Sequence, residues 1–238
     1  MASSIFSGGN AWNAYKRLEN DFLLVIENVA LDHQHDAVYS QRLAQLMLIT
    51  GGFVDTTFQQ MLQYEGLGVG QGIEEVRKKA KNDKVGMNDY RSVFEDYYGL
   101  SSLEVNVHKD NYGRICPFDS FKTAGSPDWW KDYTDVKHDA FSNMKKATIG
   151  SCLRALGGLF LLNVFHMEGR EALVGLGVIK SGSKLPGGDV VGGLAKGYLR
   201  GVLCKGPRVI KRDYGVMPEG IWAQTELFQF YYPVDATA

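Results

Sequence analysis

The chain has 238 residues, 45% hydrophobic and 22% charged, with a formal net charge of -1. That length supports a substantial core, and the composition excludes a disordered chain. A near-neutral charge excludes a whole-molecule field that would steer a polyanion, so any such field must be local.

Cys116, Cys152 and Cys204 are widely spaced, odd in number and contain no CxxC pair. This predicts no disulfide framework and no structural zinc, and thiols buried as small hydrophobes in a reducing, cytoplasmic compartment. The N-terminus, MASSIFSGGN, has neither a cationic nor an apolar signal region. The most apolar run, 155–165, has about half the roughly 20 residues needed to span a bilayer. No membrane association, metal or cofactor is predicted.

Trp12, Tyr15, Leu18, Phe22, Val25, Ile26 and Val29 recur at helical spacing and predict a first helix over 11–31. The polar run 32–36, with His33 and His35, reads as a connection; two histidines two apart do not make a metal site. A second helix is predicted over 40–65, starting at Ser40 as N-cap and carrying Leu43, Leu46, Met47, Val54, Phe58 and Met61. Gly51-Gly52 in its middle implies a bend or the close approach of another backbone. Residues 66–88 read as a mobile, glycine- and lysine-rich stretch, followed by a short helix over 89–99 capped by Asn88. Leu103, Val105 and Val107 alternate, and a turn at 109–113 returns the chain as a hairpin.

Ser126-Pro127-Asp128 opens a helix over 127–142 with Trp129, Trp130, Tyr133, Val136, Lys137, His138 and Phe141. An apolar helix over 143–167 follows a bend. Segment 173–212 is glycine-dense, with eight basic residues and one acid, a local charge of 8 - 1 = +7. Its Gly177–Gly182 spacing is that of a phosphate loop, but Ser183-Lys184 reverses the final pair. Residues 222–232 read as a terminal strand. The expected fold is mainly α: a helical bundle over 11–168 with a small hairpin, and a basic, irregular extension over 169–238 packed on it.

Two constellations could carry chemistry. Lys137 and His138 place an ammonium and an imidazole among large aromatics, where His138 could act as general base. Asp55, Lys137 and Arg154 are charges on apolar helices, which must be paired if buried; Asp55 is expected within reach of Lys137, His138 or Arg154, and Glu19 is the other candidate partner of Arg154. The same residues also suit a purely structural network. His108 and His166 read as surface or helix-end residues.

The pattern Pro127-x-Trp129-Trp130-x-x-Tyr133-x-x-x-Lys137-His138 precedes an apolar helix. With Leu18-Glu19-Asn20-Asp21-Phe22, Tyr39-Ser40 and Val54-Asp55, it resembles a group of prokaryotic helical proteins across residues 12–165. More loosely, the chain is similar to HEPN-type domains. That resemblance implies a homodimer that engages RNA, with a metal-independent ribonuclease of a defence or toxin-type system as the corresponding activity. His138 matches the family histidine. The family's arginine four to six residues earlier is not matched: Asp132, Tyr133 and Thr134 stand there. The implied roles are His138 as base and Lys137 or Arg154 as stabiliser of the phosphorane charge. The basic segment is read as the RNA-docking surface, through Lys196, Arg200, Lys205, Arg208, Lys211 and Arg212. The alternative is a non-catalytic helical scaffold or interaction protein.

Overall fold

The computed structural model describes residues 8–63, 71–82, 84–166, 173, 176 and 223–230. Among these the chain is mainly helical, with a small four-stranded antiparallel sheet. The proposed division at 168/169 and nearly all of the glycine-rich extension lie outside the described residues.

Helix α1 spans Gly8–Ile26 and buries Trp12, Tyr15, Leu18, Phe22 and Ile26, the predicted stripe. It ends five residues before the predicted limit. The chain leaves the helix so that the Leu31 amide meets the Asp110 carboxylate at 3.4 Å and the Ala30 carbonyl meets His35 Nδ1 at 2.8 Å. Helix α2, Gln41–Gln63, starts with Ser40 Oγ accepting from the Leu43 amide. It runs unbroken through Gly51-Gly52. A Cβ on Gly51 would lie 2.3 Å from the Tyr133 ring, so what approaches there is a side chain rather than a backbone.

Helix α3, Gln71–Lys81, lies where a mobile stretch is expected. Val76 and Ala80, one turn apart, supply a narrow buried stripe, and Arg77 Nε donates to the Leu62 carbonyl at 2.7 Å. The stripe is masked in sequence by the lysines around it. Helix α4, Met87–Tyr98, begins two residues before the expected limit, after Gly86 rather than Asn88. The Asp89 carboxylate accepts from the Gly86 amide at 3.0 Å, and Gly99 ends the helix with φ 59°.

Strands β1, Val105–Val107, and β2, Gly113–Ile115, form the predicted hairpin, with Val105 opposite Ile115. Its turn holds Asp110 and Asn111 at positive φ. The terminal segment is a hairpin rather than one strand: β3, Ala223–Gln224, turns back into β4, Phe228–Phe230. Thr225 makes the turn, its hydroxyl accepting from the Leu227 and Phe228 amides. Strand β4 pairs with β1, giving the order β2-β1-β4-β3.

Helix α5, Asp128–His138, is capped by Pro127, whose carbonyl accepts from Trp130 and Lys131. Trp129 is buried and its indole donates to the Pro117 carbonyl at 2.7 Å, while Trp130 is half-buried. The chain breaks at Asp139, makes the short α6, Ala140–Asn143, and re-enters helix as α7, Ile149–Phe165, capped by Thr148. Helix α7 is the axis of the core and packs on α2, α1 and α5. Gly157 and Gly158 admit Ile115, Phe118 and Trp129 to within a methyl group of its backbone. Phe160 and Phe165 meet Phe228 and Phe230 of β4. Cys152 is buried in this core and Cys116 is half-buried. Among the described residues, no helix is long and apolar enough to cross a membrane.

Candidate functional site

The four residues singled out as catalytic do not form one site. Asp55 sits half-buried on α2 and accepts from the Tyr90 hydroxyl at 2.6 Å, with Gln59 Nε2 at 3.4 Å. Burial, and behind it the bond to Asp55, holds the Tyr90 phenol far above its ordinary range. The expected pairing of Asp55 with Lys137, His138 or Arg154 is therefore corrected: its partner comes from α4, which packs against α2 and offers a neutral donor. Glu19, the other expected partner of Arg154, is 0% exposed. It is held by the Tyr15 hydroxyl at 3.0 Å, the Leu227 amide at 3.2 Å, Lys16 and the Thr225 hydroxyl.

Lys137 and His138 occupy the exposed C-terminal turn of α5. The Lys137 ammonium lies 5.6 Å from the centre of the Tyr133 ring, so the expected cation beside an aromatic is present. His138 stands at the surface, outside the core.

Arg154 on α7 is drawn to Asp36, in the polar connection 32–36. Its guanidinium lies 3.9 Å from Asp36, which ends a short 3-10 turn over His33–His35. The Tyr112 hydroxyl donates to both Asp36 oxygens, at 2.7 and 2.9 Å. His33 Nδ1 is 3.6 Å from the same carboxylate, and its ring lies 4.1 Å from that of Tyr112, centre to centre. Burial, then the bond to Asp36, pushes the Tyr112 phenol well up, with Arg154 opposing. The Gly150 amide donates to the Asp36 carbonyl at 3.0 Å. A Cβ on Gly150 would stand 3.1 Å from the Asp36 carboxyl carbon and 3.0 Å from Arg154, so glycine is what admits both. His33 is 66% exposed and Arg154 41%, so both open to solvent above a carboxylate that is only 26% exposed.

This corner unites the connection after α1, the β-hairpin turn and the start of α7. Asp36 and Tyr112 are 76 residues apart, and no local spacing signals that they meet. Two more contacts escaped the sequence reading: Ser151 Oγ donates to Asp132 at 2.5 Å, and Lys146 pairs with Asp135, tying α7 and its approach to α5. His35 points to the Ala30 carbonyl, away from any shared centre with His33. Among the described residues, no three His, Cys, Asp or Glu side chains converge as a metal-binding set.

A separate open cleft of about 860 Å³ lies between α1 and the sheet. Lys16, Glu27, His108, Lys109 and Glu226 line it, and His108 Nε2 donates to the Thr225 carbonyl at 3.0 Å. None of the residues predicted as catalytic reaches it. The Asp36 corner brings more reactive chemistry together than this cleft, whose histidine is engaged by backbone. Lys196, Arg200, Lys205, Arg208, Lys211 and Arg212 lie outside the described residues.

The fold and this corner define a mainly helical protein with a small antiparallel sheet and a His–Asp–Arg–Tyr cluster whose histidine and arginine open to solvent. The chain matches no family model, and comparison with curated proteins and with solved structures finds none similar to it.

Proposed function

We propose that this chain is an RNA-engaging, HEPN-like helical protein that cleaves RNA without a metal, with its chemistry at the Asp36 corner instead of at His138. The observation that carries the reading is that one carboxylate gathers a phenol, an imidazole and a guanidinium, the last two open to solvent. His33 Nδ1 lies 3.6 Å from Asp36; once the exposed ring closes that gap, the carboxylate would orient His33 as a general base and leave Nε2 for substrate. His33 would take the proton of a ribose 2′-hydroxyl as that oxygen attacks the adjacent phosphorus. The bond from phosphorus to the 5′-oxygen breaks, leaving a 2′,3′-cyclic phosphate, and the leaving oxygen takes a proton back from the imidazolium. Arg154 would balance the charge on the phosphorane. The basic segment 173–212 would hold the RNA backbone, and the chain would act as a homodimer in a prokaryotic cytoplasm.

The test is cleavage of an end-labelled RNA in buffer containing EDTA. His33→Ala and Arg154→Ala are each expected to slow it by about 100-fold or more. Cleavage lost in His138→Ala but kept in His33→Ala returns the base to His138 and overturns the assignment. Neutralising Lys205, Arg208, Lys211 and Arg212 together should weaken binding to all RNA sequences alike and flatten its salt dependence. A wild-type chain that neither binds nor cleaves RNA leaves the second reading, a non-catalytic interaction scaffold. That reading is favoured by Asp55, whose carboxylate is engaged by Tyr90 within the protein.

A further inference from the structure

The corner where α5 gives way to α6 carries a second set of groups. Asp139 ends α5 with a non-helical backbone, φ -149° and ψ 87°, and its carboxylate accepts from the Ser142 amide at 3.1 Å. Asn143 Nδ2 donates to the Asp135 and Asp139 carbonyls, both at 3.1 Å, and folds α6 back on the end of α5. Lys146 takes the Asp135 carboxylate. Lys146 thus meets the charge of Asp135, while Asp139 is exposed and held by neutral donors of Ser142. Lys137, His138 and Lys145 are exposed, and none of them is in an ion pair among the described residues. Phe141, which lies between them in sequence, is 94% exposed, the most exposed large hydrophobic side chain among the described residues.

A phenyl ring held in water on a hydrogen-bonded corner, with exposed cations close by in the chain, matches single-stranded nucleic acid. Such strands are held by stacking of bases on aromatic rings and by cations along the backbone. We propose that this corner is a binding subsite for single-stranded RNA, with an unpaired base stacked on Phe141 and the flanking phosphates meeting Lys137 and Lys145. The subsite rests on the RNA-engaging reading but uses none of the residues of the Asp36 corner. Charge argues against a second copy as occupant. A two-fold contact through Phe141 would set Lys137 and Lys145 against the same cations of the other protomer, and lysine is depleted from interface centres. A duplex offers no unstacked base to the ring.

The experiment is fluorescence anisotropy with a fluorescein-labelled single-stranded RNA oligonucleotide at low salt. It compares the wild-type chain, Phe141→Ala, Phe141→Trp and the double variant Lys137→Gln/Lys145→Gln. Phe141→Ala is expected to weaken binding by about 5- to 150-fold, the worth of one stacked base. Phe141→Trp should retain binding, with its emission quenched by the RNA. The double lysine variant should lower the slope of log affinity against log salt by about 1.4, two phosphates at about 0.7 each. Binding of a perfect duplex should not respond to Phe141→Ala. Wild-type binding that Phe141→Ala leaves unchanged overturns the subsite and spares the RNA reading. No binding by the wild-type chain removes both. A wild-type dimer that Phe141→Ala converts to monomer, at unchanged RNA affinity, assigns the ring to a second copy instead.

Discussion

Asp132 stands half-buried on α5, bonded to the Ser151 hydroxyl and facing Lys146. Burial raises its carboxyl above the ordinary value of 3.8, against the lowering by Ser151 and Lys146. The folded protein therefore holds this proton more tightly than the unfolded chain does. The stability it contributes is complete below pH 3.8 and is lost as pH rises through the higher folded value. Asp132→Asn carries no such titration. Its melting temperature relative to wild type is expected to be more favourable at neutral pH than below pH 3.8; a difference flat with pH would show that the carboxyl is not perturbed. Asp55 makes the complementary case. Tyr90→Phe removes the hydroxyl that donates to Asp55 at 2.6 Å, and is expected to cost about 1–3 kcal/mol in urea denaturation, with the m-value unchanged.

At the scale of elements, adjacent glycines in α2 separate packing from propensity. A Cβ on Gly52 meets nothing within 4 Å, so Gly52→Ala is expected to stabilise by up to about 1 kcal/mol through helix propensity alone. On Gly51 the same Cβ would enter the Tyr133 ring of α5, with three ring carbons at 2.3–2.5 Å. Gly51→Ala is expected to destabilise by about 1–3 kcal/mol despite the same gain in propensity, because α2 and α5 must separate or the ring must leave its rotamer. Chemical denaturation of both single variants checks the pair. Equal effects at the two positions would mean that α5 does not rest on the α2 backbone at Tyr133.

For the whole molecule, the buried carboxylate of Glu19 joins the beginning of the chain to its end. It binds the Thr225 hydroxyl and the Leu227 amide, more than 200 residues away, and so holds the β3–β4 hairpin against α1. With that hairpin in place, Phe228 and Phe230 close over Phe160 and Phe165. Glu19→Ala leaves the Lys16 ammonium and several donors without their acceptor, at an expected cost of about 3–5 kcal/mol. Amide hydrogen exchange should show the loss of protection concentrated at 223–230 and along β1, since β4 is the strand that pairs with it. Exchange that rises evenly over the chain would instead make Glu19 a general core residue.

Much of the helical frame was legible in the sequence, since α1, α2, α5 and α7 bury apolar residues at regular spacing and periodicity is a local property. The hairpin of β1 and β2 was legible for the same reason: alternation flanks a turn-forming run. Helix α3 was not, because two buried residues in a lysine-rich stretch make a weak pattern. Among the candidate site residues, Lys137 and His138 could be placed on α5, though not at its exposed end, since the expected helix ran on to 142. Their presumed partners could not. Asp55 and Arg154 are on apolar helices that the sequence identifies, yet a charge takes whichever polar partner, charged or neutral, the packing brings within about 4 Å. For Asp55 that is Tyr90, and for Arg154 it is Asp36, with Tyr112 and His33 gathered around the same carboxylate. The sequence by itself determined the strongly periodic helices and their buried faces. Only the tertiary structure decided which polar groups meet, because those contacts join elements far apart in the chain and depend on how the helices and the hairpin cross.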